Sequence, residues 1–308
     1  MIRSLRTPLA LLCILVPASF AWADAPRAAH VVIISFDQAG PGHIARAEMP
    51  LLKKMASEGA HTWEAYTIVP SITLPSHVSM LTGVGIQKHQ ILWNEWDETR
   101  PDLSVPTIFH LAKARGLTTA MIAAKPKFKT FQQAGGLDTF VIPENAKAMG
   151  IGAATAALLK EKQPNLLFIH FADPDSTGHK YGSNSPEKMQ ALAECDQALK
   201  VIRDAIAAAG IADSTVMILT ADHGGHDRPP EEIAERVKRG QDPSPGTHGS
   251  PHADDVIIPW IVWGKGVKPA ATLRVPVVIY DTAATALWLL DVPVPESFWG
   301  RPVTSAFE

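Results

Sequence analysis

Cysteine is nearly absent: the 308 residues hold two, and Cys13 falls inside an N-terminal apolar run. Cys195 is then alone in the remainder. No intrachain disulfide can form there, so the chain must rest on its core. Charge of one sign is missing too. Lys and Arg number 28 against 31 Asp and Glu, the net charge is −3 and the charges are dispersed, which gives no reason to expect a nucleic-acid partner. Beyond the N-terminus no apolar run is long enough to span a bilayer, and neither repeats nor low-complexity tracts occur. What is present is 46% hydrophobic residues, enough for a compact soluble domain.

The N-terminus itself has Arg3 and Arg6 ahead of an apolar stretch, 9–20, that closes on Ala21-Trp22-Ala23. A short apolar run ending in a small-x-small site predicts a cleaved secretory signal, 1–23, with 24–308 as one domain. The expected location is therefore periplasmic or secreted, with no stable membrane anchor after cleavage. The sequence leaves the oligomeric state open.

Along the rest of the chain β and α signals alternate. Runs at 30–36, 117–123, 166–171, 215–220 and 256–262 are apolar and β-branched, as in strands covered on both faces, with a shorter strand near 139–142. Between them, Pro and Gly mark helices at 50–55, 75–82, 106–116, 186–210 and 280–290, and a polar segment fills 224–255. The predicted class is α/β with a mainly parallel central sheet.

Three acidic or histidine clusters stand just past predicted buried strands: Asp37, then Asp175 with His179, then Asp222 with His223. That edge is where open α/β sheets bind ligands. Asp175-x-x-x-His179 is expected on a glycine-containing loop, and Asp222-His223-Gly224-Gly225 offers two adjacent ligands at a strand end. Together with His248 in a glycine-rich loop, the count meets the roughly six or seven ligands of a two-metal site, and mixed carboxylate and imidazole donors suit zinc. Thr73 supplies the missing reactant. Alone it reads as a helix N-cap, but a cation that lowers the pKa of its hydroxyl would make it a nucleophile.

The pieces Ser35-Phe36-Asp37, Pro70-Ser71-Ile72-Thr73-Leu74-Pro75-Ser76-His77, Pro174-Asp175-Ser176-Thr177-Gly178-His179, Thr220-Ala221-Asp222-His223-Gly224 and Gly246-Thr247-His248-Gly249 occur in one order. In these pieces the chain resembles the alkaline phosphatase superfamily and, within it, the type I phosphodiesterase/nucleotide pyrophosphatase family. The resemblance implies an alkaline-phosphatase-like three-layer sandwich and a two-zinc phosphoric ester hydrolase acting on a small phosphate ester through a phosphoryl-threonine. It also implies that Asp37, Asp222 and His223 hold one metal, which meets Thr73, and that Asp175, His179 and His248 hold the other. Asn94 would donate to a phosphoryl oxygen.

Gln38-Ala39-Gly40 departs from the family pattern of glycine and arginine after Asp37, and the chain is short for the family. The leaving-group pocket is therefore not given by motif. Lys125 and Lys127, just beyond a predicted strand, read either as a solvated loop or as substrate-binding cations on a second negative charge. The latter would favour a phosphomonoesterase or phosphonate hydrolase on the same site. A non-enzymatic metal- or phosphate-binding protein is the alternative outside catalysis. Asp173 reads as a ligand-orienting or turn residue, His226 and His252 as loop histidines with His252 the substitute for His248, Trp93 and Trp96 as rim or core packing, and Cys195 as a small buried side chain.

Overall fold

The run after residue 29 becomes strand β1 (His30–Phe36), every side chain of which from Val31 onward is buried. Each large aliphatic residue removed from water in this way contributes about 1.5–3 kcal/mol, which is why a run with no polar face folds into the centre of a sheet. The computed structural model describes residues 27–308, so the expected signal at 1–23 lies outside the described residues.

Nine further strands follow: β2 (Ala60–Tyr66), β3 (Thr119–Ile122), β4 (Thr139–Val141), β5 (Leu166–Phe171), β6 (Thr215–Thr220), β7 (His226–Asp227), β8 (Gly246–Thr247), β9 (Ile257–Gly264) and β10 (Ala271–Thr272). Eight of the ten form one sheet in the order β10-β2-β9-β6-β1-β5-β3-β4, while β7 and β8 make a separate two-stranded ribbon. Only β9 is antiparallel to its neighbours, β2 and β6, so it alone runs against the rest. Pro259 has no N–H to give the ladder, and the β2–β9 register shifts opposite it, between Thr62 and Ala65.

Two groups of helices flank the sheet as outer layers. One gathers Pro41–Arg46, Pro50–Glu58, Ala148–Glu161 and Asp173–Tyr181 around the long helix Pro186–Ala208; the other joins Thr73–Thr82 and Ile108–Lys113 to Asp281–Leu289. The three-layer α/β expectation holds. No helix among the described residues is long and apolar enough to cross a membrane.

One local expectation does not hold. The segment Asp173–Tyr181 is a helix, not a loop, because Pro174 and the acidic Asp173 and Asp175 favour a helix start. The polar stretch 224–255 contains the helix Pro230–Lys238 and the β7–β8 ribbon.

Candidate active site

β1 lies between β5 and β6, with Phe36 in register with Phe171 and Ser35 with Thr220. Asp37, Asp175 and Asp222 therefore leave the sheet side by side at the C-terminal ends of three adjacent parallel strands. Asp37 and Asp222 are fully buried and Asp175 nearly so. Each retains one buried carboxylate oxygen with no hydrogen-bond partner: Asp37 Oδ1, Asp175 Oδ1 and Asp222 Oδ2. A buried anion left unpaired is costly, so three converging orphans describe a place built for positive charge.

Imidazoles complete that place. His179 and His248 face each other with Nε2 atoms 3.0 Å apart, and lie 3.3 and 3.4 Å from Asp175 Oδ1. Donors about 2.0–2.2 Å from a tetrahedral zinc are separated by about 3.3 Å, so these three atoms already have the spacing of a ligand set. The helical placement of residues 173–181 produces it, since positions four apart share one face. His223 Nε2 sits 3.5 Å from Asp37 Oδ1 and 3.3 Å from Asp222 Oδ2, and its ring stacks on His248 at 3.9 Å. Asp37, Asp175 and His223 form the second close group; Asp222, expected with Asp37 and His223, stands at its edge, where Oδ1 accepts the Gln38 and His223 N–H groups.

Lys125 explains the difference. Its ammonium lies between the two carboxylates, 2.6 Å from Asp37 Oδ2 and 2.5 Å from Asp175 Oδ2, and draws them together. Burial opposes ionisation of Asp37, yet the Lys125 charge and the His170 hydrogen bond hold its carboxyl well below the usual range. Burial and Asp37 oppose ionisation of Asp175 as well, and Lys125 with His179 overcomes them. Asp222, buried beside Asp37 with no such partner, is pushed well above the usual range. Burial and His248 lower His223 to about 3, whereas the neighbouring Asp175 carboxylate raises His179.

Thr73 is the first residue of its helix and is buried; its Oγ1 lies 3.5 Å from His223 Nε2. The N-cap position belongs to Ile72, and no side chain caps the helix from there. The hydroxyl is thus free of the capping duty that residue type alone suggested. Asn94 takes part of that duty, its Oδ1 accepting the Leu74 N–H at 2.9 Å, while its Nδ2 makes no hydrogen bond among the described residues. His77 donates from Nδ1 to the Thr73 carbonyl at 2.7 Å and accepts from Ser35 Oγ at 2.8 Å, fixing the first helical turn to β1.

Sequence reading missed three residues around this cluster. His170, inside apolar β5, lies 3.1 Å from Asp37 Oδ2; a histidine in a run of buried strand residues was the available signal. Gln38 stands out in the sequence only as a departure from the family pattern, with no role attached, and Lys188 gives no signal. Gln38 has φ +61, and its side chain occupies the space a Cβ would need at Gly178 and Gly225, between the two segments that carry His179 and His223. Buried Lys188 donates to the Gln38 carbonyl at 2.8 Å and to its Oε1 at 2.5 Å, and burial lowers its own pKa to about 7. The departure from the family's glycine at position 38 thus comes with its own clamp. Lys188→Met would leave two buried acceptors unpaired beside Asp37, and is expected to weaken divalent-cation binding or kcat by about 10–100-fold. Chelator-competition affinity and kcat measured on the same preparation check it; unchanged values for both would remove the clamp.

The remaining expectations sort simply. Lys127 is buried, 3.5 Å from Glu95, so neither lysine belongs to a solvated loop. Asp173 pairs with Lys147 at 3.2 Å as a helix-start residue. Trp93 and Trp96 pack at the rim under Arg100 and Lys129. Cys195 is buried in its helix, its thiol pushed up by burial.

Residues 31–239 match the family model described as type I phosphodiesterase / nucleotide pyrophosphatase. The chain belongs to that family. Among curated members, it is 25% identical over 241 residues to ectonucleotide pyrophosphatase/phosphodiesterase family member 7 of Mus musculus, covering 70% of this chain and 54% of that protein. It is 24% identical over 216 residues to bis(5'-adenosyl)-triphosphatase of Xenopus laevis, covering 63% and 46%. The chain thus spans about half the length of these curated relatives. The solved structure of murine ectonucleotide pyrophosphatase/phosphodiesterase 5, an inactive variant in complex with AMP, matches with TM-score 0.75 at 16% identity, covering 91% of this chain and all of that one. At that identity the likeness is one of fold.

Proposed function

We propose that this member of the phosphodiesterase/nucleotide pyrophosphatase family is a two-metal hydrolase of phosphoric esters in which Thr73 is the nucleophile, folded as one catalytic domain over residues 24–308. The observation that carries the reading is the convergence of three unpartnered buried carboxylate oxygens and three imidazoles beside the Thr73 hydroxyl. In this reading Asp37, Asp222 and His223 hold one cation with Thr73, and Asp175, His179 and His248 hold the other. Two divalent ions, zinc by the mixture of N and O donors, would lower the pKa of the hydroxyl and neutralise charge on the phosphoryl group.

The chain's own groups do the rest. Thr73 Oγ1 forms a bond to phosphorus as the ester leaving oxygen departs, giving a phosphoryl-threonine; water then attacks phosphorus and the threonine oxygen departs. The Thr73 N–H, which the start of a helix leaves without an intrahelical acceptor, and Asn94 Nδ2 would donate to phosphoryl oxygens. The murine structure, an inactive threonine-to-alanine variant in complex with AMP, and the relatives named as phosphodiesterases and pyrophosphatases, support a diester or nucleotide pyrophosphate as substrate. The relatives named as ecto- and venom enzymes agree with export of this chain.

A second reading, a phosphomonoesterase or phosphonate hydrolase, is favoured by Lys125 and Lys127. Lys127 is buried, and part-buried Lys125 lies among the carboxylates where a further substrate charge would meet it. Initial rates of zinc-loaded protein on bis-p-nitrophenyl phosphate and p-nitrophenyl phosphate, with an EDTA-treated control, separate the readings. Faster diester cleavage, abolished by EDTA, is expected. Faster monoester cleavage would hand both lysines to substrate recognition, and no cleavage of either would leave a binding protein.

A further inference from the structure

A second set of ligating side chains lies outside the candidate active site, at the base of the loop that carries His248. His226 in β7 pairs across the ribbon with Thr247 in β8, so its neighbour in space is the residue just before His248. Its Nδ1 is 2.7 Å from Asp255 Oδ1, and the His252 ring stacks on it at 4.4 Å with the planes 23° apart. Potential donor atoms of His226, His252 and Asp255 all lie within 4.8 Å of one another, and none of these residues belongs to the two active-site groups.

We propose that His226, His252 and Asp255 bind a third divalent cation, one of the borderline ions that mixed imidazole and carboxylate donors select, with zinc the expected occupant. Two features go beyond an ordinary histidine–aspartate hydrogen bond. Asp255 is fully buried, and among the described residues no lysine or arginine pairs with it, so its charge lacks the full compensation that a cation gives. The His226 contact does not require His252, yet His252 brings a second nitrogen donor to the same place. The other Asp255 oxygen is held by the Ser250 N–H at 3.0 Å and the Ser250 hydroxyl at 2.8 Å, the kind of support that aims a ligating carboxylate. The side chains of His226 and His252 are 25% and 50% exposed, which gives the ion a route of entry and water a coordination position.

The cation joins the β7 end to the segment of Asp255 and so braces the loop between them. That loop reaches Thr73 through one residue: Ser71 Oγ donates to the Ser250 carbonyl at 2.9 Å, and His248 Nδ1 donates to the Ser71 carbonyl at 3.0 Å. The site holds the His248 loop against the segment preceding the Thr73 helix and takes no part in bond breaking.

Metal content tests it. Wild type, His252→Ala, His226→Gln and Asp175→Asn are loaded with zinc, gel-filtered in zinc-buffered solution and analysed by inductively coupled plasma mass spectrometry. Each histidine variant is expected to lose one equivalent relative to wild type, and Asp175→Asn to retain the equivalent that those variants lose, so that the double variant Asp175→Asn/His252→Ala falls one below Asp175→Asn. Because the readout is a difference, it holds even if the active-site reading fails. Half-exposed His252 makes its variant the one least able to disturb folding, which matching melting curves of the metal-free proteins establish. Equal zinc content in wild type and His252→Ala overturns the proposal.

Discussion

Thr73→Ala is expected to lower kcat for phosphoester hydrolysis by about 10³-fold or more, with the fold and the zinc content of the other ligands largely kept. The hydroxyl is buried, it is not the cap of its helix, and among the described residues its one hydrogen-bonding neighbour, His223 Nε2, is 3.5 Å away. Removing it therefore breaks no strong hydrogen bond and leaves only a small cavity. The loss should appear in kcat and not in the melting temperature. Thr73→Ser, which keeps the oxygen, is expected to retain much of the rate. Steady-state kinetics and thermal melts of the three proteins check this, and a Thr73→Ala protein that hydrolyses at the wild-type rate would remove the nucleophile.

The second large effect is on stability. Without metal, Lys125→Met leaves Asp37 and Asp175 facing each other in a buried site with their shared counter-charge gone, and such a broken buried pair costs about 3–5 kcal/mol. The pH dependence has a definite sign. Both carboxyls have folded-state pKa values below their ordinary ones, so their contribution is full above about pH 4–5 and is lost as pH falls through the folded values. The Lys125 ammonium is held above its ordinary pKa by Asp37 and Asp175 against the opposing effect of burial, so its contribution is full below about pH 10 and is lost only beyond that. The gap between wild type and variant is thus widest near neutrality and narrows in acid, where Asp37 and Asp175 of the variant, no longer held low by the Lys125 charge, take up protons before those of wild type. A divalent cation held there would supply the missing charge, and added zinc is expected to raise the melting temperature of the variant more than that of wild type. Urea melts of EDTA-treated proteins at pH 7 and pH 4 measure the gap. Equal stability at pH 7 would mean that the ammonium does not hold this cluster together.

The sheet was legible because its central strands carry no polar face: β1, β5 and β6 are mostly apolar and buried throughout their centres, and each ends at the residue or short segment that holds a candidate ligand. For the same reason Asp37, Asp175, Asp222 and His223 could be placed at one edge before any coordinates. Local preference misled where packing decided. Asp175 and His179 were expected on a loop because of Gly178, yet that glycine is helical and gives up its Cβ space to Gln38. The Gln38–Lys188 clamp spans 150 residues and has no local pattern, so no periodicity could reveal it. Lys125 was visible only as a cation beyond a strand; that it bridges two ligand groups depends on β3 lying next to β5 in the sheet.

The most direct test of the two-step account is the stereochemistry at phosphorus. A P-chiral phosphorothioate diester is hydrolysed in isotopically labelled water by the zinc-loaded protein, and the configuration of the product is determined. Each in-line displacement inverts phosphorus, so attack by Thr73 followed by attack of water predicts net retention. Net inversion would mean that water displaces the leaving group in a single step, and would contradict a phosphoryl-threonine at position 73.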